Sequence, residues 1–152
     1  MHDANISIIT IDSEEGLEIM RHTLAAQVLA RAVKNLYPKS KLAIGPTIKD
    51  GFYYDVECKE TISIDDLEKI EKEMDKIVKT KSSITKKLLS KKEALKVFKD
   101  KDESYKEEII NDSDQKDQFQ LYYQDDEDFV DLCKGPHLPN LNFIGAYKLT
   151  TI

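Results

Sequence analysis

The chain has 152 residues, 40% hydrophobic and 34% charged, which is enough for one soluble domain with a real core. No apolar run approaches the roughly 18 residues that cross a bilayer, the opening residues do not read as a signal peptide, and no membrane association is expected. A net charge of −6 argues against a general nucleic-acid binder, and Cys58 and Cys133 are not framed like a secreted disulfide scaffold, so a reduced, cytoplasmic protein is expected.

Met1-His2 reads as an added start, and residues 1–10 as the remnant of a preceding segment. Asn5–Thr10 alternates and is β-branched, which predicts a strand. Asp12-Ser13 is placed to cap a helix. From Leu17 to Leu36 apolar residues recur at helical spacing until Pro38, so a long helix should cross the core. Leu42–Ile44 and Gly51–Val56 read as two strands joined by a turn at Lys49-Asp50-Gly51.

A second helix is predicted from Asp66 to Lys79, with Leu67, Ile70, Met74, Ile77 and Val78 as its buried stripe. Ser82–Leu89 reads as a strand. Ser90 and Glu93 form the cap pattern of a short helix ending at Phe98. Ser104–Ile110 continues as helix or strand entry, and Asn111–Gln118 is a polar loop. Phe119–Tyr123 and Phe129–Leu132 should pair antiparallel around an acidic turn, Asp125–Asp128. Cys133–His137 is a loop that Gly135 and Pro136 keep from being helical, and Phe143–Thr150 reads as a last strand. Without a regular βαβ beat, this order predicts an α+β fold, a mainly antiparallel sheet wrapped around the long helix.

Charge is unevenly spread: 13 lysines stand against 7 acidic residues from Lys69 to Lys106. Such a stretch suits a phosphate backbone, but equally a solvated helix face. Of the three histidines, His2 is terminal, His22 lies early in the long helix, and His137 ends the Cys133 loop. A helical His facing a Cys-x-x-x-His loop would gather three borderline ligands, able to bind zinc or to assemble a hydrolytic site.

Three stretches carry a resemblance. Ala43-Ile44-Gly45-Pro46-Thr47-Ile48-Lys49-Asp50-Gly51-Phe52-Tyr53-Tyr54-Asp55, Glu103-Ser104-Tyr105-Lys106 and Asp131-Leu132-Cys133-Lys134-Gly135-Pro136-His137 stand in this order. They resemble the editing domain of bacterial-type threonyl-tRNA synthetases, over about Asn5 to Ile152, as one domain with a ligase domain expected after it. Without that context Tyr53 and Tyr54 would be strand packing, Lys106 one more solvated lysine and Cys133 a small buried side chain.

The resemblance implies a proofreading hydrolase for seryl-tRNA(Thr). One methyl group separates serine from threonine and is worth only about 1–3 kcal/mol, so a second site must destroy the wrong product. It implies His22, Lys106, Cys133 and His137 as the catalytic set, with Tyr54, Asp131 and Gln27 binding substrate. His22 or His137 would position or deprotonate water, Lys106 would stabilise the oxyanion or hold the terminal phosphate, and Asp131 would take the serine ammonium. Tyr54 would wall the terminal adenosine. The implied partners are the tRNA(Thr) acceptor end and the rest of a synthetase, itself a homodimer. Three ligands at most, in a family that does not obviously need a metal, disfavour zinc, so no cofactor is expected.

One departure stands out. The resemblance implies a second helical histidine four residues after His22, where this chain has Ala26 followed by Gln27. The interval from His22 to Pro38 is also one residue longer than the pattern. Aligned from the front, Ala26 replaces the partner; aligned back from Pro38, the pair falls on Thr23 and Gln27. The competing expectation is therefore a module whose chemistry has lapsed and which only binds the acceptor end. A third, an editing domain of the alanyl-tRNA synthetase kind with its zinc-dependent relatives, does not account for Gly51–Asp55.

Overall fold

The computed structural model describes residues 4–125 and 129–152. Met1-His2 and most of the expected acidic turn, 126–128, lie outside the described residues. The fold is α+β, as the segment order predicts. Its strands form three small antiparallel sheets rather than one wrapped sheet.

The long helix begins earlier than its apolar pattern because Ser13 caps it, its hydroxyl accepting from the Gly16 N–H at 3.0 Å. It runs as α1 (Glu14–Thr23), a π-helical segment (Leu24–Leu29) and α2 (Ala30–Leu36). The π-helical segment lies within the His22–Pro38 interval, and each of its hydrogen-bonded turns takes one more residue than an α-helical turn. The helix stops at Leu36, since the residue before Pro38 is barred from helical geometry. A 3-10 turn (Ile64–Asp66), with Ser63 and Asp66 in a capping box, leads into α3 (Leu67–Lys79). Leu24, Val28, Ala32 and Val33 meet Ile70, Met74 and Ile77 of α3 in the first core.

Between these helices runs a narrow hairpin. β1 (Lys41–Leu42) pairs with β4 (Val56–Glu57), and β2 (Thr47–Ile48) pairs with β3 (Gly51–Phe52) across a turn at Lys49-Asp50, so Gly51 of the expected turn lies in β3. Of the two predicted strands, Leu42–Ile44 shortens to the end of β1, β2 forms beyond it, and Gly51–Val56 is interrupted at Tyr53–Asp55 between β3 and β4.

β5 (Ile84–Leu89), β6 (Phe119–Gln124) and β7 (Phe129–Leu132) form the largest sheet in that order. α4 (Lys91–Asp100), opened by the Ser90–Glu93 capping box, and α5 (Ser104–Asp112) cover one face of it. Phe98 and Ile110 meet Phe119, Leu121, Tyr123 and Val130 there in a second core. Burying Phe98 alone contributes about 2–3 kcal/mol. By the two-residue period of a strand, Gln120, Tyr122 and Gln124 face the other way, toward the long helix. The side-chain amide of Gln124 donates to the Gln27 carbonyl at 2.7 Å. This juxtaposition of β6 and the π-helical segment positions the candidate site.

Two predicted strands do not form. Residues 4–10 lie outside every sheet, with Ile6 and Ile8 each 91% exposed, because alternation stabilises a strand only where an edge pairs with it. Phe143–Thr150 follows a 3-10 turn (Leu141–Phe143) and lies along α3 instead. Its polar groups bond to α3 side chains: the Leu149 N–H and Lys148 to Glu71, and the Tyr147 hydroxyl to Asp75. Its apolar residues Ile144, Tyr147 and Leu149 join the first core. The same pattern of side chains has found a helix where a sheet edge was expected. Among the described residues, no helix is long and apolar enough to cross a membrane.

Candidate functional site

Four of the predicted residues line one cleft of about 220 Å³: His22, Lys106, Asp131 and Cys133, with Ala26, Ile44, Gly45, Pro46 and Leu132 completing its wall. α1, α5, the Gly45-Pro46 bend and the end of β7 each contribute. The loop after β7 turns through Gly135, whose φ is +69°. It returns toward the helix and places His137 against His22, ring centroids 4.4 Å apart.

Lys106 and Asp131 form a buried ion pair, Nζ to Oδ1 at 2.7 Å, with side chains only 3% exposed on both sides. Tyr54 completes a triangle. Its hydroxyl donates to Asp131 Oδ2 and accepts from Lys106 Nζ, both at 3.1 Å. Burial, then the Asp131 charge, hold the Tyr54 hydroxyl well above its ordinary pKa, so it stays protonated. The Tyr54 ring lies directly on Gly45, where a Cβ would come within 2.1 Å of it. That contact is a packing reason for a glycine in the first motif stretch.

Lys106 retains one N–H beyond its two bonds, and Asp131, which also accepts from the Leu132 N–H at 2.8 Å, retains one acceptor position. The pair is neutral as a whole yet presents one donor and one acceptor to the cleft.

Around Cys133 the bonds define protonation states. His22 Nδ1 lies 3.3 Å from the Pro136 carbonyl, which can only accept, so that nitrogen carries the proton. Nε2 is then a lone pair facing Cys133 Sγ at 3.1 Å. Burial pushes the Cys133 thiol up to about 11, although the Gly135 N–H donating to the sulfur works the other way. The resting cysteine is therefore a thiol donating to His22, not a thiolate.

Burial likewise lowers His22, and takes His137 down to about 3, so both rings are neutral at pH 7. Among the described residues, Nε2 of His137 is buried without a hydrogen-bond partner. A histidine whose folded pKa lies below its ordinary 6.5 leaves stability intact above pH 6.5. As pH falls from 6.5 toward 3, the unfolded chain takes up a proton that the folded one refuses, and stability is lost. His137 alone should cost about 2 kcal/mol between pH 7 and pH 5, with His22 adding in the same direction. Urea unfolding at the two pH values measures this. His137→Gln should flatten the dependence, and an equally steep loss in that variant would contradict the assignment.

The ligand atoms of His22, Cys133 and His137 lie within 4.8 Å of one another, so this trio could hold a transition metal. Three protein donors plus water is also a catalytic zinc pattern, so the count of ligands alone does not disfavour zinc.

Two expected residues sit differently. His137 is stacked behind His22 and borders a neighbouring groove with Ile9, Ile19 and Phe143, rather than the cleft itself. Gln27 is fully buried and turned away, accepting from Gln124 Nε2 at 3.1 Å. Ala26, not Gln27, lines the cleft. Both residues lie in the π-helical segment, which turns Ala26 to the cleft and Gln27 to Gln124.

Sequence reasoning gave Tyr122 no role and named Thr23 only as a pair position in the alignment run back from Pro38. Thr23 is fully buried with its hydroxyl 3.2 Å from His137 Nδ1. Tyr122 meets the His137 ring edge-on at 4.6 Å. The alternation of β6 could have placed Tyr122 opposite the apolar face of its strand; nothing local singles out Thr23.

Residues 120–152 match the family described as threonyl and alanyl tRNA synthetase second additional domain. The chain is 48% identical over 145 residues, 95% of its length, to the threonine–tRNA ligase of Carboxydothermus hydrogenoformans. The chain belongs to this family of synthetase domains. Threonine–tRNA ligase 2 of Bacillus subtilis is 47% identical over 150 residues, and the threonine–tRNA ligase of Clostridium tetani 49%, each over 99% of the chain. The chain spans 22–23% of the length of these relatives. The matched domain includes β6 after its first residue, β7 and the loop to His137, hence Asp131, Cys133 and His137.

Proposed function

We propose that this synthetase domain hydrolyses the ester of seryl-tRNA(Thr), with the cleft between His22 and Lys106 as the reaction site. The observation that carries the proposal is the Lys106–Asp131 pair, buried beside the His22–Cys133 contact in a cleft of about 220 Å³. That volume is below the usual range for drug-sized ligands and suits a small aminoacyl group. The spare acceptor position of Asp131 receives the serine ammonium, and the spare N–H of Lys106 receives the oxyanion. Water adds to the carbonyl carbon while His22 Nε2, on releasing the hydrogen bond from the Cys133 thiol, takes the water's proton. The carbonyl–ribose bond then breaks, and the same proton passes to the leaving ribose oxygen.

The acceptor end of tRNA(Thr) supplies the substrate, and Tyr54, beneath Lys106, supports that residue rather than walling the adenosine. The rest of a homodimeric synthetase and the cytoplasm are the proposed setting. No step above needs a metal, so a chelator should leave the rate unchanged.

The second reading is a domain that binds the acceptor end with its hydrolysis lapsed. It is favoured by the cleft wall at Ala26, which ends at a methyl group where a second imidazole would reach in. The test is deacylation of seryl-tRNA(Thr) beside threonyl-tRNA(Thr), by the chain and by Ala26→His. We expect selective loss of the seryl ester by the unaltered chain, and its abolition by His22→Ala. Binding of the acceptor end without hydrolysis, restored by Ala26→His, would establish the lapsed reading instead.

A further inference from the structure

The Thr23 hydroxyl makes every bond its chemistry allows. Its one proton goes to the Ile19 carbonyl at 2.8 Å, one turn back in α1. The oxygen then has two lone pairs to offer. One accepts the Leu138 N–H at 3.0 Å, and the other faces His137 Nδ1 at 3.2 Å. With its own proton committed, Thr23 can only accept from that nitrogen. Two rings pack on His137, His22 at 4.4 Å and Tyr122 edge-on at 4.6 Å. Its Nε2 is buried with no hydrogen-bond partner among the described residues. We infer that Thr23 is a positioning residue that fixes His137 as the Nδ1–H tautomer, so that a neutral ring with its lone pair on Nε2 backs the His22 ring and holds it in place.

This gives the two histidines different tasks. The His22 lone pair is shared with the Cys133 thiol, whereas that of His137 is held open. Thr23 orients His137, and the His137 ring packed on His22 in turn holds in place the base of the proposed reaction. Its contribution to rate rests on the function proposed above; the tautomer does not.

The experiment is long-range proton–nitrogen correlation on the 152-residue chain labelled with 15N-histidine, at pH 7. We expect a protonated Nδ1 and a bare Nε2 at His137 in the unaltered chain and in Thr23→Ser. Thr23→Val should yield a mixture or the opposite tautomer. In seryl-tRNA hydrolysis, Thr23→Val should lose up to roughly a hundredfold in kcat at unchanged KM, with Thr23→Ser near normal. A predominant Nε2–H tautomer in the unaltered chain overturns the inference even if the valine variant fails to fold. So does a folded Thr23→Val that keeps the Nδ1–H form. If the tautomers behave as expected but no form of the chain hydrolyses the ester, the proposed function fails and the role of Thr23 stands.

Discussion

Replacing Lys106 by methionine is expected to cost about 3–5 kcal/mol of folding stability, the largest effect of any single change in the cleft. The side chain is 3% exposed and its charge answers that of Asp131 at 2.7 Å. Removing it leaves a buried carboxylate holding only the Tyr54 hydroxyl and the Leu132 N–H. The cost comes mainly from the charge left behind, so Asp131→Asn alone should be damaging for the mirror-image reason. The double variant Lys106→Met, Asp131→Leu should regain most of the lost stability, since an ion pair of this kind can be replaced by apolar packing at little net cost. Urea midpoints of the three variants measure the stabilities, and a double variant as unstable as the single one would overturn the explanation. Ester hydrolysis should be absent in all three. A stable but inactive double variant would separate the pair's place in the fold from its place in the reaction.

Gly135→Ala is expected to disrupt the other half of the cluster. Two costs coincide at this position. A φ of +69° is strained for alanine, by about 1–2 kcal/mol. The new Cβ would also stand 2.0 Å from the Tyr122 hydroxyl and 2.7 Å from the ring carbon that bears it. Since Tyr122 packs on His137 and the Gly135 N–H donates to Cys133, the loop cannot yield without moving both. Hydrolysis should fall by roughly 10² or more, as misplacement by about 1 Å can do. Adding Tyr122→Phe removes the closest clash but not the strain, so it should recover part of the loss. Seryl-tRNA deacylation by the single and double variants tests this, and full activity in Gly135→Ala would sink it.

Helices were the most legible part of the sequence. Ser90 with Glu93 and the Ile70–Met74–Ile77 stripe each announced an element that formed nearly where expected, because caps and amphipathic periodicity are local properties. The strand patterns at Asn5–Thr10 and Phe143–Thr150 were equally regular and formed no strand. A strand takes its stability from a neighbouring edge that its own residues do not encode; the second segment found α3 instead. In the cleft, Lys106, Asp131 and Cys133 were named from motif stretches and His22 from its place in the long helix, and the fold brings them together. Thr23 was named only as an alignment position, and its bond to a residue 114 positions away could not be read along the chain.

The sequence by itself determined the α+β class, the long helix to Pro38, the antiparallel β6–β7 pair and the non-helical loop from Cys133 to His137. Only the tertiary structure decided that the long helix widens into a π-helical segment after Thr23, that Ala26 faces the cleft, and that Gln27 turns to Gln124. It likewise decided the proton positions on His22 and His137, which follow from a carbonyl and a hydroxyl brought from elsewhere in the chain. Backbone propensities and caps act over a few residues and can be read along the chain. The direction of a buried side chain and the proton it carries depend on what packs against it, and that is settled only when the elements meet.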